Sequence, residues 1–271
     1  MLEHIVRVHT SRRQGRHNYG AKKVWVELGK EHARGEHPEL GRVPRCQVER
    51  LMRAHCLRGR RRGRQFITTR PDAGAERPPD RVGRKFEASK PNELWVVDFT
   101  YVPTWAGTAF TAFVIDVYSR RIVGWRVAGR MPTALPLDAL EMALWTRAQT
   151  NELVAGLTHH SDAGSQYTSL MYTDRLAEAG ALASIGTVGD SYDNAMAEST
   201  IGLYKTELVW PDGPWRNVEH LELATADHVW WFNNCRIHSS IGYDTPVEHE
   251  EKYYRQHHPG QQIAPGQEAL H

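Results

Sequence analysis

The stretch Leu94-Trp95-Val96-Val97-Asp98-Phe99-Thr100-Tyr101-Val102 decides how this chain folds. Its β-branched and aromatic residues form the run expected of a buried strand. A carboxylate in such a strand, here Asp98, is costly unless it is paired or held at a metal. Ala109 to Val117 reads as a second apolar strand, closing on Asp116, and Arg121 to Val127 as a third, set off by Tyr118-Ser119-Arg120. Three consecutive strands with short turns predict an antiparallel meander.

Two further acids belong with Asp98. Asp162 follows the short strand-like Leu157-Thr158-His159-His160, and Ala163-Gly164-Ser165 then breaks the pattern. That places Asp162 in a loop at the C-terminal end of a strand, the edge where open α/β sheets collect ligands. Glu198 lies in Asp193 to Leu208, where Met196, Ile201, Leu203 and Leu208, with small Ala195 and Ala197, predict a helix able to approach the sheet edge closely. Lys205, two helical turns beyond Glu198, shares its face. The acids are separated by 63 and 35 residues. Two carboxylates from a sheet edge and one from a facing helix can hold a pair of Mg²⁺ ions, hard cations that prefer oxygen. Such a pair, about 4 Å apart, activates the attacking oxygen and stabilises the leaving one in displacement at phosphorus. The expected roles are Asp98 bridging both ions, Asp162 and Glu198 holding one each, and Lys205 gripping a DNA phosphate. Taken singly, an Asp in a turn or a Glu on a helix is commonly a solvated surface group. Asp116, Asp190, Asp193 and Glu207 read as groups of that kind; joint context separates the other three.

These segments resemble the transposases of the insertion-sequence-three group, members with retroviral integrases of the DDE superfamily. The matching text is Pro91-Asn92-Glu93-Leu94-Trp95-Val96-Val97-Asp98-Phe99-Thr100-Tyr101-Val102, then Asp116-Val117-Tyr118-Ser119-Arg120-Arg121-Ile122-Val123-Gly124-Trp125. It continues with His159-His160-Ser161-Asp162-Ala163-Gly164-Ser165-Gln166-Tyr167-Thr168-Ser169, Gly189-Asp190-Ser191-Tyr192-Asp193-Asn194-Ala195-Met196-Ala197-Glu198-Ser199 and His238-Ser239-Ser240-Ile241-Gly242-Tyr243-Asp244-Thr245-Pro246. The likeness runs from about residue 15 to about residue 250, and the ordered set is more specific than any one motif. It implies an RNase H-like catalytic domain, a mixed five-stranded sheet flanked by helices, that cleaves element ends and transfers the 3′-hydroxyl to a target phosphodiester. Asp98, Asp162 and Glu198 match the catalytic triad and Lys205 the basic residue after the glutamate, with two Mg²⁺ ions as cofactor and Mn²⁺ substituting. Gln166, Tyr167 and Asn194, inside the matching motifs, are expected DNA contacts beside Lys205. Ala163 stands where the family often has a basic residue, and Ser191 where Cys is frequent. Members are often made by a frameshift that adds an upstream frame, and this chain matches the downstream part; the expected partners are element-end and target DNA duplexes, further copies of the chain, and an upstream-frame polypeptide. The alternatives are another RNase H-like nuclease, such as a ribonuclease H or resolvase, and a catalytically silent DNA-binding regulator of transposition.

Charge divides the chain. Residues 1–90 carry 23 Lys and Arg against 10 Asp and Glu, a net of +13, and the remainder 11 against 22, a net of −11. A basic arm on an acidic domain suggests a polyanion partner for the first and metal-binding acids in the second. Residues 1–67 read as a helical module: Ala21, Val24, Trp25 and Leu28 share one helical face, and Pro44 opens a second helix with Val48, Leu51, Met52 and His55 or Cys56 inward. Arg45, Arg50 and Arg53 then point outward, and Arg58, Arg60, Arg61, Arg62 and Arg64 follow, which fits a helix-turn-helix-like element whose arginines track phosphate. Residues 68–90, rich in Pro, Gly and charge, read as a linker, 91–250 as the catalytic domain, and 251–271 as a flexible tail. Val218 to Asn233 reads as a helix with Leu221, Leu223, Ala224, Val229, Trp230 and Phe232 inward. His159 and His160 are expected to line the site. Three cysteines show neither a disulfide framework nor zinc-type spacing. With no membrane-length apolar run and no signal-peptide pattern, a cytoplasmic protein, nucleoid-associated when on DNA, is expected.

Overall fold

The computed structural model describes residues 1–60, 82, 86–130, 134–150, 154–162, 167, 170–185 and 195–257. Its first part holds α1 (Leu2–Thr10), α2 (Ala21–Ala33), a 3-10 turn at Pro38–Leu40 and α3 (Arg45–Ala54). Then come β1 (Leu94–Thr104), β2 (Gly107–Asp116), β3 (Ile122–Ala128), α4 (Ala134–Gln149), β4 (Thr158–Ser161), α5 (Leu170–Glu178) and β5 (Leu182–Ile185). A helix α6 (Ala195–Tyr204) passes through a π-helical turn, Lys205–Val209, into the short α7 (Trp210–Asp212), followed by α8 (Val218–Asn234) and α9 (Pro246–His257).

The strands form one mixed sheet of five in the order β3-β2-β1-β4-β5. The first three make the antiparallel meander expected from the sequence, and β4 and β5 add in parallel. Alternate residues of β1 serve opposite faces. Trp95 and Val97 join Ala139, Leu140 and Ala143 of α4 and Leu176 of α5, whereas Leu94 and Val96 join Ile201 and Tyr204 of α6 and Val229 and Phe232 of α8. With both faces covered, every position of Leu94 to Val97 must be apolar, hence the unbroken run.

Gly124 on β3 is where α4 crosses closest. A Cβ there would stand 2.1 Å from the Ala139 carbonyl oxygen and 2.7 Å from the Ala143 nitrogen. Gly124→Ala therefore pushes the helix off the sheet and is expected to cost about 1–3 kcal/mol or more, read as a lower urea midpoint; an unchanged midpoint would show that α4 yields freely.

The N-terminal helices pack directly on the sheet domain. Ile5, Val8, Tyr19 and Val24 belong to the same buried cluster as Trp231 and Phe232 of α8. The Trp231 Nε1 donates to the Gln14 carbonyl (2.8 Å), the Ile237 amide donates to the Tyr19 hydroxyl (2.9 Å), and Arg16 pairs with Asp227 (2.7 Å). Nothing in the sequence pattern announced this docking, because each contact joins residues more than 200 positions apart.

Several expectations are corrected. The connection from α2 to α3 spans residues 34–44, longer than the three- or four-residue turn of a helix-turn-helix. On α3, Val48 and Met52 are buried but His55 and Cys56 are exposed, because the helix ends at Ala54 before they complete the stripe. On α8 the inward residues include Leu221, Val229, Trp231 and Phe232, while Leu223 is 73% exposed. The tail does not begin at 251: α9 continues to His257, with Tyr253 stacked edge-on against Tyr118 at 5.4 Å. Of the linker, Val82 and residues 86–90 are described; Val82 is buried, and Phe86 lies edge-on to His160 at 5.7 Å. No described helix is long and apolar enough to cross a membrane.

Asp116 and Glu207 are not surface groups. Asp116 is fully buried, accepts from the Asn92 and Ser119 amides (2.7 and 2.9 Å) and lies 3.6 Å from Arg147. Arg147 in turn grips Glu250 of α9 with both terminal nitrogens, at 2.9 and 2.6 Å. Glu207 pairs with the buried Arg236 through two bonds of 2.8 Å.

Candidate active site

The register of the two central strands sets the site. β1 and β4 run parallel with Val97 opposite Ser161, so the next residues lie side by side: Asp98, still within β1 and paired with Phe113 of β2, and Asp162, just past the end of β4. Asp98 shares the face of Val96, against which α6 packs, and α6 carries Glu198 in its first turn. All three acids are half-buried.

Their charges meet. Burial raises the pKa of Asp98 well above the usual carboxylate range, and the negative charges of Asp162 and Glu198 raise it further. Pulling the other way, the Phe99 amide donates to Asp98 Oδ1 at 2.8 Å, and Lys205 adds a positive charge. Lys205 opens the π-helical turn, and its Nζ lies 5.2 Å from the ring centre of Tyr101. π-Bulges are often found at functional sites because they re-aim side chains. Tyr101, 46% exposed beneath Lys205, carries no signal in the sequence, since three residues past Asp98 on one strand is the opposite face.

Other expected contacts divide. Arg45, Arg50, Arg53, Arg58 and Arg60 are exposed; Arg45 is paired with Glu49 at 2.7 Å, and Arg60 donates to the Thr206 carbonyl at 3.3 Å. Arg61, Arg62, Arg64, Gln166 and Asn194 lie outside the described residues. Tyr167 is a correction: only 2% exposed, it packs on Phe99 and Tyr172, a wall of the site rather than a surface for DNA. Its hydroxyl has no hydrogen-bond partner among the described residues, and burial, then the Asp98 charge, holds it protonated. His159 and His160 are also packing residues, each 1% exposed, meeting the Tyr172 hydroxyl (3.1 Å) and the Ser184 hydroxyl (2.9 Å).

One His and Glu group does occur away from the acids. His4 and His37 stand 3.7 and 3.3 Å from Glu39, tying the 3-10 turn to α1. On α8, His228 is buried against Tyr204, Trp231 and Phe232, and its pKa is lowered to about 4, chiefly by burial. It is neutral in the folded chain, while an unfolded His binds a proton near pH 6.5. Stability is therefore expected to be full above about pH 6.5 and to fall as pH drops toward 4, with His228→Gln flattening that slope in thermal melts.

Models of the integrase core domain match residues 88–191 and 180–246. The chain is 51% identical over 257 residues, 94% of its own length and 88% of the other, to the protein assigned as the transposase for insertion sequence element IS986/IS6110 of Mycobacterium tuberculosis. It is 49% identical over 236 residues to the transposase for insertion sequence element IS629 of Shigella sonnei, covering 87% of this chain and 75% of that one. Among solved structures, the HTLV-2 integrase catalytic core domain in complex with magnesium is 15% identical with a TM-score of 0.47, covering 60% of this chain and 99% of that one. A mixed sheet with three converging acids, two matches to the integrase core and half-identical relatives along nearly the whole chain make this protein a DDE transposase of the insertion-sequence-three family.

Proposed function

We propose that the chain cleaves DNA at the ends of its insertion sequence and joins the freed 3′-hydroxyl to a target phosphodiester, with Asp98, Asp162 and Glu198 as the ligands of two Mg²⁺ ions. The observation that carries this is the meeting of three carboxylates: the register of β1 and β4 sets Asp98 beside Asp162, and Glu198 in the first turn of α6 is near enough for its charge to act on Asp98. Three oxygen donors with excess negative charge suit a hard divalent ion, and Mn²⁺ would substitute. Bound there, the ions would supply Lewis-acid activation of the attacking oxygen and charge stabilisation of the leaving one. The protein's share is positioning: strands β1 and β4 fix Asp98 and Asp162, α6 brings Glu198, and the wall of Tyr167 and Phe99 narrows access for water. Lys205, held over Tyr101, offers its ammonium to a phosphate next to the scissile one. In each step a P–O bond to the incoming oxygen replaces the P–O bond that breaks, first with water and then with the 3′-hydroxyl.

The N-terminal helices would supply grip. Arg45, Arg50, Arg53, Arg58 and Arg60, continued in the sequence by Arg61, Arg62 and Arg64, would present cations to the DNA backbone, and Gln166 and Asn194 would add DNA contacts. Work on paired element ends calls for more than one copy, and an upstream-frame polypeptide would complete end recognition. The test is a strand-transfer assay on labelled end duplexes with Mg²⁺ or Mn²⁺. Asp162→Asn and Glu198→Gln should each lose cleavage and joining together while still binding DNA. Full activity in either variant would refute the ligand assignment, and end binding without cutting by the unaltered chain would favour the silent regulator.

A further inference from the structure

Where the N-terminal helices meet the sheet domain they leave a cleft of about 460 Å³. Asn18, Lys22, Lys23, Arg45, Arg60 and Arg236 line it, with Leu203, Thr206 and Glu207 of the segment that carries Lys205 forming the far wall. Two of its cations are matched, Arg236 by Glu207 and Arg45 by Glu49. Lys22 and Lys23 instead lie over rings, those of Tyr243 at 5.3 Å and Tyr19 at 4.9 Å, and among the described residues the Arg60 guanidinium meets only the Thr206 carbonyl. The Asn18 side chain is 9% exposed, and among the described residues neither its Oδ1 nor its Nδ2 has a partner. A buried amide left with both ends unsatisfied is costly and calls for an explanation; a ligand that supplies the partner is one.

The geometry points to a phosphate-binding cleft at this seam, in which Lys22, Lys23 and Arg60 hold the backbone of a DNA strand and the Asn18 amide bonds its oxygens, leading on to Lys205 and the three acids. It rests on the proposed DNA chemistry only for the identity of the polyanion. Burial lowers the pKa of Lys23 to about 7, and the Arg236 charge adds to this, outweighing Glu207 and Glu27. A phosphate beside Lys23 would restore its charge, so binding takes up a proton whenever the free chain has lost it. Facing Lys23 are also Tyr19, whose pKa is raised, and His238, whose pKa is lowered, both shifted out of the range just above neutrality; Arg236 is raised and Glu207 lowered likewise. Glu27 alone is shifted toward that range, its pKa raised chiefly by burial.

The experiment measures anisotropy of a fluorescent DNA duplex with the full chain and a chelator present, so no cleavage is read and its failure leaves the catalytic proposal standing. Affinity should fall by up to about tenfold per pH unit between about pH 7 and 9. Glu27→Gln should keep that slope. Lys23→Arg should bind as tightly at the upper end as at the lower, and Lys23→Met should bind about tenfold more weakly at low pH with little slope. Asn18→Ala should weaken binding while its melting temperature holds or rises, a combination that a merely structural amide would not give. A flat profile in the unaltered chain, or Lys23→Met and Asn18→Ala binding DNA as it does, would overturn the assignment. So would inorganic phosphate alone raising the melting temperature as much as the duplex does, since the cleft would then hold a free anion.

Discussion

Asp98→Asn is expected to reduce strand transfer by at least about a thousandfold, on the scale of losing one member of a group that acts as a unit, and yet to leave the protein as stable or more so. Both effects follow from the same crowding. In the folded chain the Asp98 carboxyl sits against Asp162 and Glu198 and resists ionisation. A neutral amide of the same shape removes that repulsion, so the thermal midpoint without divalent ions should hold or rise. The variant should also lose the rise in midpoint that Mg²⁺ gives the unaltered chain, because ions that bind only the folded site stabilise it by mass action. A variant that kept full transfer, or that melted several degrees lower, would mean Asp98 belongs to the fold and not to the chemistry.

The opposite profile is expected of Glu250→Ala: a loss of about 3–5 kcal/mol, the cost of leaving a buried charge without its partner. Arg147 is fully buried, and Glu250 takes both of its terminal nitrogens as well as Arg121 Nη1 (2.6 Å) and the Ser119 hydroxyl (2.7 Å). Burial pushes the Glu250 pKa up, but Arg147 and Arg121 win and hold it at about 2. A depressed carboxylate contributes stability above its unfolded pKa, near 4.3, and loses it as pH falls toward 2. The network should thus show in acid melts as well as in the denaturant midpoint of Glu250→Ala. Replacing Arg147 and Glu250 together by Met and Leu should recover only part of the loss, since the buried Asp116 would then be left without its arginine. Equal midpoints for Glu250→Ala and the unaltered chain would show that α9 is dispensable to the sheet.

The sequence revealed what local pattern controls. Asp98 stood out because it interrupts a run buried on both faces, and Asp162 because a strand stops at it; the meander followed from three apolar runs with short turns. Glu198 was visible as an acid in a stretch of Ala, Ser and Asn. What stayed hidden depends on partners far along the chain. Asp116 passes for a turn acid until Arg147 and Glu250 close over it, and Glu207 until Arg236 reaches back from beyond α8. Tyr167 sits among polar neighbours in the sequence, yet the fold turns it under Phe99. Strand β5 has only four residues, Leu182–Ile185, too few for period alone to establish.

The docking of Tyr19 and Gln14 onto α8 gives the molecule the character of a caliper. Because the helix bearing Arg45, Arg50 and Arg53 shares a core with the sheet that bears the acids, the span between a gripped stretch of DNA and the phosphate to be cut is set by packed side chains rather than by a tether. Under the proposed function, the place of the cut relative to the gripped sequence is then a property of this interface, and loosening Tyr19 should blur that place before it slows the cut.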